Sequence, residues 1–114
     1  MSGYAAYGKV QKVVESPRAT ERRLLTQVTA SLIDASKDVH NIQKLYDAIL
    51  WNKRVWDTFA YELAADDNQL PKEIRAGLIS LAIWVNKETT SIMDGQTDLE
   101  PLITVNKSII EGLK

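Results

Sequence analysis

The chain has no cysteine and a single histidine among its 114 residues. Lacking cysteine, it can form neither a disulfide framework, a thiolate metal site nor a cysteine nucleophile. That usage suits a reducing cytoplasm. The lone histidine, His40, falls at a helix junction, where an imidazole is ordinarily a surface residue rather than a ligand or base. The five glycines are scattered and form no phosphate-cradling loop. The adjacent carboxylates Asp66 and Asp67 lie in a polar linker, which is no setting for an acid–base pair. With no set of preorganised polar groups in sight, catalysis is not expected, and neither is a cofactor or a metal.

Long apolar runs are missing too. The longest, Leu78 to Val85, contains Ser80 and is far shorter than the roughly 20 residues that cross a bilayer. Met1 to Gly8 has no basic start leading into an apolar stretch, so no signal peptide is expected and the reading is cytoplasmic. Neither charge sign is in excess: 14 basic residues face 15 acidic ones. A dedicated nucleic-acid binder draws most of its affinity from phosphate neutralisation and carries a net positive field, so direct nucleic-acid binding is not expected. No basic amphipathic helix suggests a membrane surface.

What is present is helical periodicity in one domain-sized chain, residues 1–114. Residues 1–15 form a leading arm. Tyr4, Ala5, Tyr7, Val10, Val13 and Val14 follow helical spacing there, weakened by Gly3 and Gly8. Ser16-Pro17 then reads as N-cap and first helical residue. Leu24, Val28, Leu32 and Ala35 give the following helix its stripe, with Leu25 beside it and Glu21 on the solvent side. Asn41 caps a second helix whose face is Ile42, Leu45, Tyr46, Ile49, Trp56, Phe59 and Leu63; Trp51 and Val55 project away from it. A helix apolar on two sides is normally central. After the Asp66–Gln69 turn, Pro71 opens a third helix with a stripe of Ile74, Leu78, Leu81, Val85 and Ile92. Ile79 and Ile83 make a second, narrower stripe, and Trp84 sits on the other flank. Gly95 stops this helix, and Asp98 caps a last one carrying Leu99, Leu102, Ile103, Ile109, Ile110 and Leu113. Short connections make successive helices antiparallel. The expected fold is all-α, a compact bundle of four to five helices.

Two runs are distinctive: Trp51-Asn52-Lys53-Arg54-Val55-Trp56, and Leu70-Pro71 followed by Ile74-Arg75-Ala76-Gly77-Leu78-Ile79-Ser80-Leu81-Ala82-Ile83-Trp84-Val85. Together with the Ser16-Pro17-Arg18 step leading into Glu21 and Leu24, they resemble the motifs of the FlaF family of flagellar biosynthesis regulators, over about Tyr4 to Leu113. Lys53 stands where many members have arginine, and Val55 where many have leucine. The resemblance implies a non-enzymatic protein needed for flagellin production and secretion, which binds flagellin as its export chaperone. It also implies work beside a partner regulator of flagellin translation. Two other roles are compatible with it: control of flagellin messenger RNA through that partner, and a structural adaptor among flagellar assembly factors.

A helical bundle can offer a groove to the amphipathic ends of flagellin, reading them through apolar anchors at helical spacing. Trp51, Val55, Ile79, Ile83 and Trp84 are the candidate docking residues, with Arg54 placed to pair with a carboxylate at the rim. The competing reading is that terminal helices cover these side chains. It is the commoner outcome in bundles for Ile79 and Ile83, and for Trp51 the two readings balance. For Arg54, a solvated charge is the commoner outcome. Trp56 belongs to the core, because it shares a face with Ile49, Phe59 and Leu63.

Overall fold

A computed structural model describes residues 16–113. The Tyr4–Val14 arm anticipated from the sequence lies outside them. Among the described residues there are four helices and no strand: α1 (Pro17–Ser36), α2 (Ile42–Ala64), α3 (Lys72–Met93) and α4 (Glu100–Gly112). The chain is an all-α bundle.

The helix ends follow from local chemistry. Ser16 has extended backbone, and its hydroxyl accepts from the Ala19 N–H at 3.1 Å, with Pro17 in the first position. The Asn41 side chain does the same for the Lys44 N–H at 3.2 Å. The end of α3 is a Schellman turn: Gly95 takes φ of 114°, its N–H donates to the Ile92 carbonyl, and the Gln96 N–H donates to that of Ser91. Asp98 serves α4 from outside the helix, where its carboxylate accepts from the Glu100 N–H at 3.0 Å.

Helix α2 is central. It packs against α1 and α3, while α4 packs along α1. Three contacts run antiparallel between α2 and α3: the Tyr46 hydroxyl with the Met93 carbonyl, Asn86 donating to Asp57 at 3.1 Å, and Arg75 donating to the Leu63 and Ala65 carbonyls. The last of these closes the C-terminus of α2, whose final carbonyls have no partner within their own helix. Desolvation would raise the Asp57 carboxyl, but its bonds with the Lys53 ammonium and the Asn86 amide outweigh that and hold it below the usual range.

The core gathers Leu25, Val28, Leu32 and Ala35 from α1, then Leu45, Ile49, Trp56, Phe59 and Leu63 from α2. Ala82, Val85 and Ile92 enter from α3, and Leu102 and Ile103 from α4. Trp56 and Phe59 meet edge to face at 5.6 Å. A polar chain crosses this interior: the Trp56 indole donates to Asn106 at 2.9 Å, and Asn106 donates to Asn52 at 2.8 Å. All three side chains are fully buried, and the Asn52 amide nitrogen has no partner.

Several stripe assignments shift. Leu25 is in the core of α1 while Leu24 is half-buried, a rotation that turns Leu24 toward a groove. Ile42, at the first turn of α2, is 55% exposed. On α3, Ile74 is 51% exposed and Leu78 and Leu81 are half-buried, whereas Ala82 is buried. The physical reason lies in the topology: α3 has α2 as its main neighbour, so a single narrow face is covered and the first half of the helix stays open.

Candidate functional site

The N-terminal half of α1 and residues 51–62 of α2 line a groove between the two helices. Leu24 and Leu25 of α1 and Trp51, Val55, Thr58 and Phe59 of α2 wall a cavity of about 540 Å³. Because Trp51 and Val55 lie one turn apart on α2, both face this opening, and both are half-buried. Exposed Arg54 sits on the same turn and lines the rim.

A second cavity of about 470 Å³ continues from the first toward the end of the bundle, where the start of α1 and of α3 meet the end of α2 and of α4. Pro17, Glu21, Phe59 and Glu62 line both cavities, so the two form one groove with a waist. Carboxylates stand on either side of that waist. Half-buried Glu21 comes from α1 and Glu62 from α2, and their carboxyl groups are hydrogen-bonded. Burial, then the bond to Glu62 and its charge, push the Glu21 carboxyl up to about 7, against a lowering pull from Arg18. Burial and a neighbouring carboxylate both favour the protonated form of Glu21.

The six candidate docking residues separate into two sets. Trp51, Arg54 and Val55 come together in the groove. Ile79, Ile83 and Trp84 lie on α3 and line neither cavity. Ile79 and Trp84 are half-buried against the core, and Ile83 is 55% exposed. Among the described residues, no terminal helix seals Trp51, Val55 or Ile83.

Sequence reasoning missed the Glu21–Glu62 pair, because 41 positions separate two residues that each look like ordinary solvent-facing charges. It also missed Leu24 as a groove wall. The Asn52–Asn106 link did leave a signal. Asn52 falls in the register 45, 49, 52, 56, 59, 63, where every other member is buried and apolar.

Among the described residues, no group of acidic or histidine side chains could hold a metal ion, and no helix is long and apolar enough to cross a membrane. The groove has the dimensions of a ligand cleft and the lining of a helix-docking surface, apolar walls with an arginine toward one end and carboxyl groups at the waist. No curated protein and no solved structure matches the chain. The family model of the flagellar protein FlaF matches residues 4–113, almost the whole length, a span that includes both tryptophan-bearing runs. The chain therefore belongs to the FlaF family of flagellar proteins.

Proposed function

We propose that this flagellar protein is a cytoplasmic, non-enzymatic binding protein for flagellin, and that it supports flagellin synthesis and secretion as an export chaperone. It works beside a partner regulator of flagellin translation. The observation that carries this reading is the groove between α1 and α2, open at Trp51 and Val55, which pack against the edge of the core and stay only half-buried. Flagellin's terminal segments are amphipathic and need covering until they polymerise. A groove of this kind reads such a helix through apolar anchors at positions i, i+3 or i+4, and i+7. Tryptophan and arginine are the residue types enriched where binding energy concentrates, and Trp51 and Arg54 share one turn here.

Calorimetric titration with purified flagellin, intact and shortened at either end, tests the reading. Heat is expected with the intact protein and to be lost with one of the shortened forms. Trp51→Ala should weaken binding by at least about tenfold, the scale of a strong interface residue, and leave the helical circular-dichroism signal in place. Ile83→Ala, outside the groove, separates this face from α3: equal weakening there would move the docking surface to α3. No heat with any flagellin form would end the chaperone reading.

A further inference from the structure

The groove is graded in charge along its length. Arg54 marks one end, and the Glu21–Glu62 pair stands at the waist. Arg54 and Glu62 are separated by two turns of α2, roughly 12 Å at the rise of an α-helix. Between them the walls are Leu24, Trp51, Val55 and Phe59, so an apolar strip is flanked by opposite charges. Arg18 lines the second cavity and adds a positive charge beside Glu21 at the waist. Arg18 and Glu21 come from α1, and Glu62 and Arg54 from α2, while the lining given by α3 and α4, such as Ile74 and Ile109, is uncharged.

We propose that the groove takes an amphipathic helix whose lysine or arginine seats between Glu21 and Glu62, the two carboxyl-bearing residues that line both cavities. The inference rests on the groove being the docking face described above, and it specifies the chemistry of the occupant. An acidic residue at the waist would meet like charge, and a neutral apolar one would cover half-buried Glu21 and exposed Glu62 while adding no counter-charge to that of Arg18. A cation converts the same two groups into acceptors of charge-assisted hydrogen bonds. An acidic residue two turns away on the same partner would meet Arg54, which fixes the direction in which the helix lies.

Proton displacement makes the affinity depend on pH. In the unoccupied groove the Glu21 carboxyl holds its proton up to about pH 7. The cation must compete with that proton below this point and meets no competition above it. Affinity should therefore rise roughly tenfold between pH 6 and pH 8, and binding at pH 6 should release protons.

The test uses the full chain and a leucine–lysine peptide about five helical turns long, with a matched peptide in which glutamine replaces lysine. Calorimetry in two buffers of unlike ionisation enthalpy reads both affinity and proton release. The lysine peptide should bind roughly tenfold more tightly at pH 8 than at pH 6. The glutamine peptide should bind weakly with no pH dependence, and a Glu21→Gln/Glu62→Gln chain should treat the two peptides alike. Circular dichroism confirms that this variant stays folded. Equal binding of the two peptides by the natural chain, an unchanged pH profile in the double variant, or no binding of the lysine peptide would overturn the proposal. So would a dimer of the chain that the lysine peptide dissociates, which gives the groove to a second copy. Binding of a peptide of residues 1–15 with the same carboxylate dependence would likewise give it to the chain's own leading segment. Flagellin is titrated alongside. If it gives no heat while the peptides behave as stated, the flagellin reading fails and the charge seat stands. If it binds with no pH dependence, the seat fails and the flagellin reading stands.

Discussion

Asn106 carries more of the interior than any other polar side chain, because it both accepts from Trp56 and donates to Asn52. Replacing it with leucine leaves the Trp56 indole N–H and the whole Asn52 amide buried without partners. Each orphaned group costs about 1–3 kcal/mol, so Asn106→Leu should lose about 2–4 kcal/mol in urea unfolding. Asn52→Leu removes one acceptor but also removes a donor that is already unpaired. It should cost about 1 kcal/mol. Equal losses for the two would mean that the chain of bonds does not run through Asn106. Glu21 makes a second prediction at this scale. Its carboxyl is raised from 4.5 to about 7, so the folded state holds a proton that the unfolded state releases between those values. The stabilisation is present below pH 4.5 and lost as pH rises through 7, where a half-exposed charge must be carried. Glu21→Gln should therefore leave stability unchanged near pH 4 and raise it at pH 8 by about 1 kcal/mol, after allowing for solvent screening. Urea melts at the two pH values decide it. A variant equally affected at both would show that the charge of Glu21 plays no part.

At the scale of single helices, the two described glycines of α3 and its cap make opposite predictions. An added Cβ meets no atom within 4 Å at either Gly77 or Gly95, so sterics with neighbours play no part in either substitution. Gly77 lies inside α3, where alanine lowers the entropy lost on folding; Gly77→Ala should stabilise by about 0.5–1 kcal/mol. Gly95 has φ of 114°, a backbone region that a side chain disfavours, and Gly95→Ala should destabilise by about 1–2 kcal/mol. Thermal melts of the two variants should move in opposite directions. These ends were legible in the sequence because a cap is a local device: Ser16-Pro17, Asn41 and Gly95 each work within a few residues of themselves. Which face of a helix is covered is not local. The stripe Ile74, Leu78, Leu81, Val85 and Ile92 is real as a period, but period alone gives no count of neighbours. With α2 as its main neighbour, α3 leaves Ile74 and Ile83 to solvent. In the groove, Trp51 and Val55 were readable because they stand off the main face of α2. Glu21 and Glu62 were not, because their meeting depends on how α1 crosses α2.

The whole molecule is a central helix with unequal sides. On one side of α2, α1 and α4 pack against each other as well; on the other, α3 relies on α2. No residue of α3 before Ala82 is buried; those that are buried, Ala82, Val85, Thr89 and Ile92, run from its midpoint to its end. From Lys72 to Leu81 no side chain is fully buried, and the main tether is the Arg75 guanidinium on the Leu63 and Ala65 carbonyls. Local opening follows the number of buried apolar contacts a segment must break, so this stretch should open at lower free energy than the rest of the bundle. Native-state hydrogen exchange should show the amides of residues 76–81 exchanging well ahead of those of residues 45–59 in α2. Arg75→Leu should widen that gap, since it frees the two carbonyls and the start of α3 together. The second cavity gives this a functional side, because Ile74 and Leu78 belong to its wall. A partner helix that reaches past Glu21 and Glu62 would pack on that wall and slow exchange across the first half of α3, while one confined to Trp51 and Val55 would leave it unchanged. The exchange pattern in the complex thus reports how far along the groove the partner extends, and protection uniform across all four helices in the free chain would show that the sides of α2 are equally held.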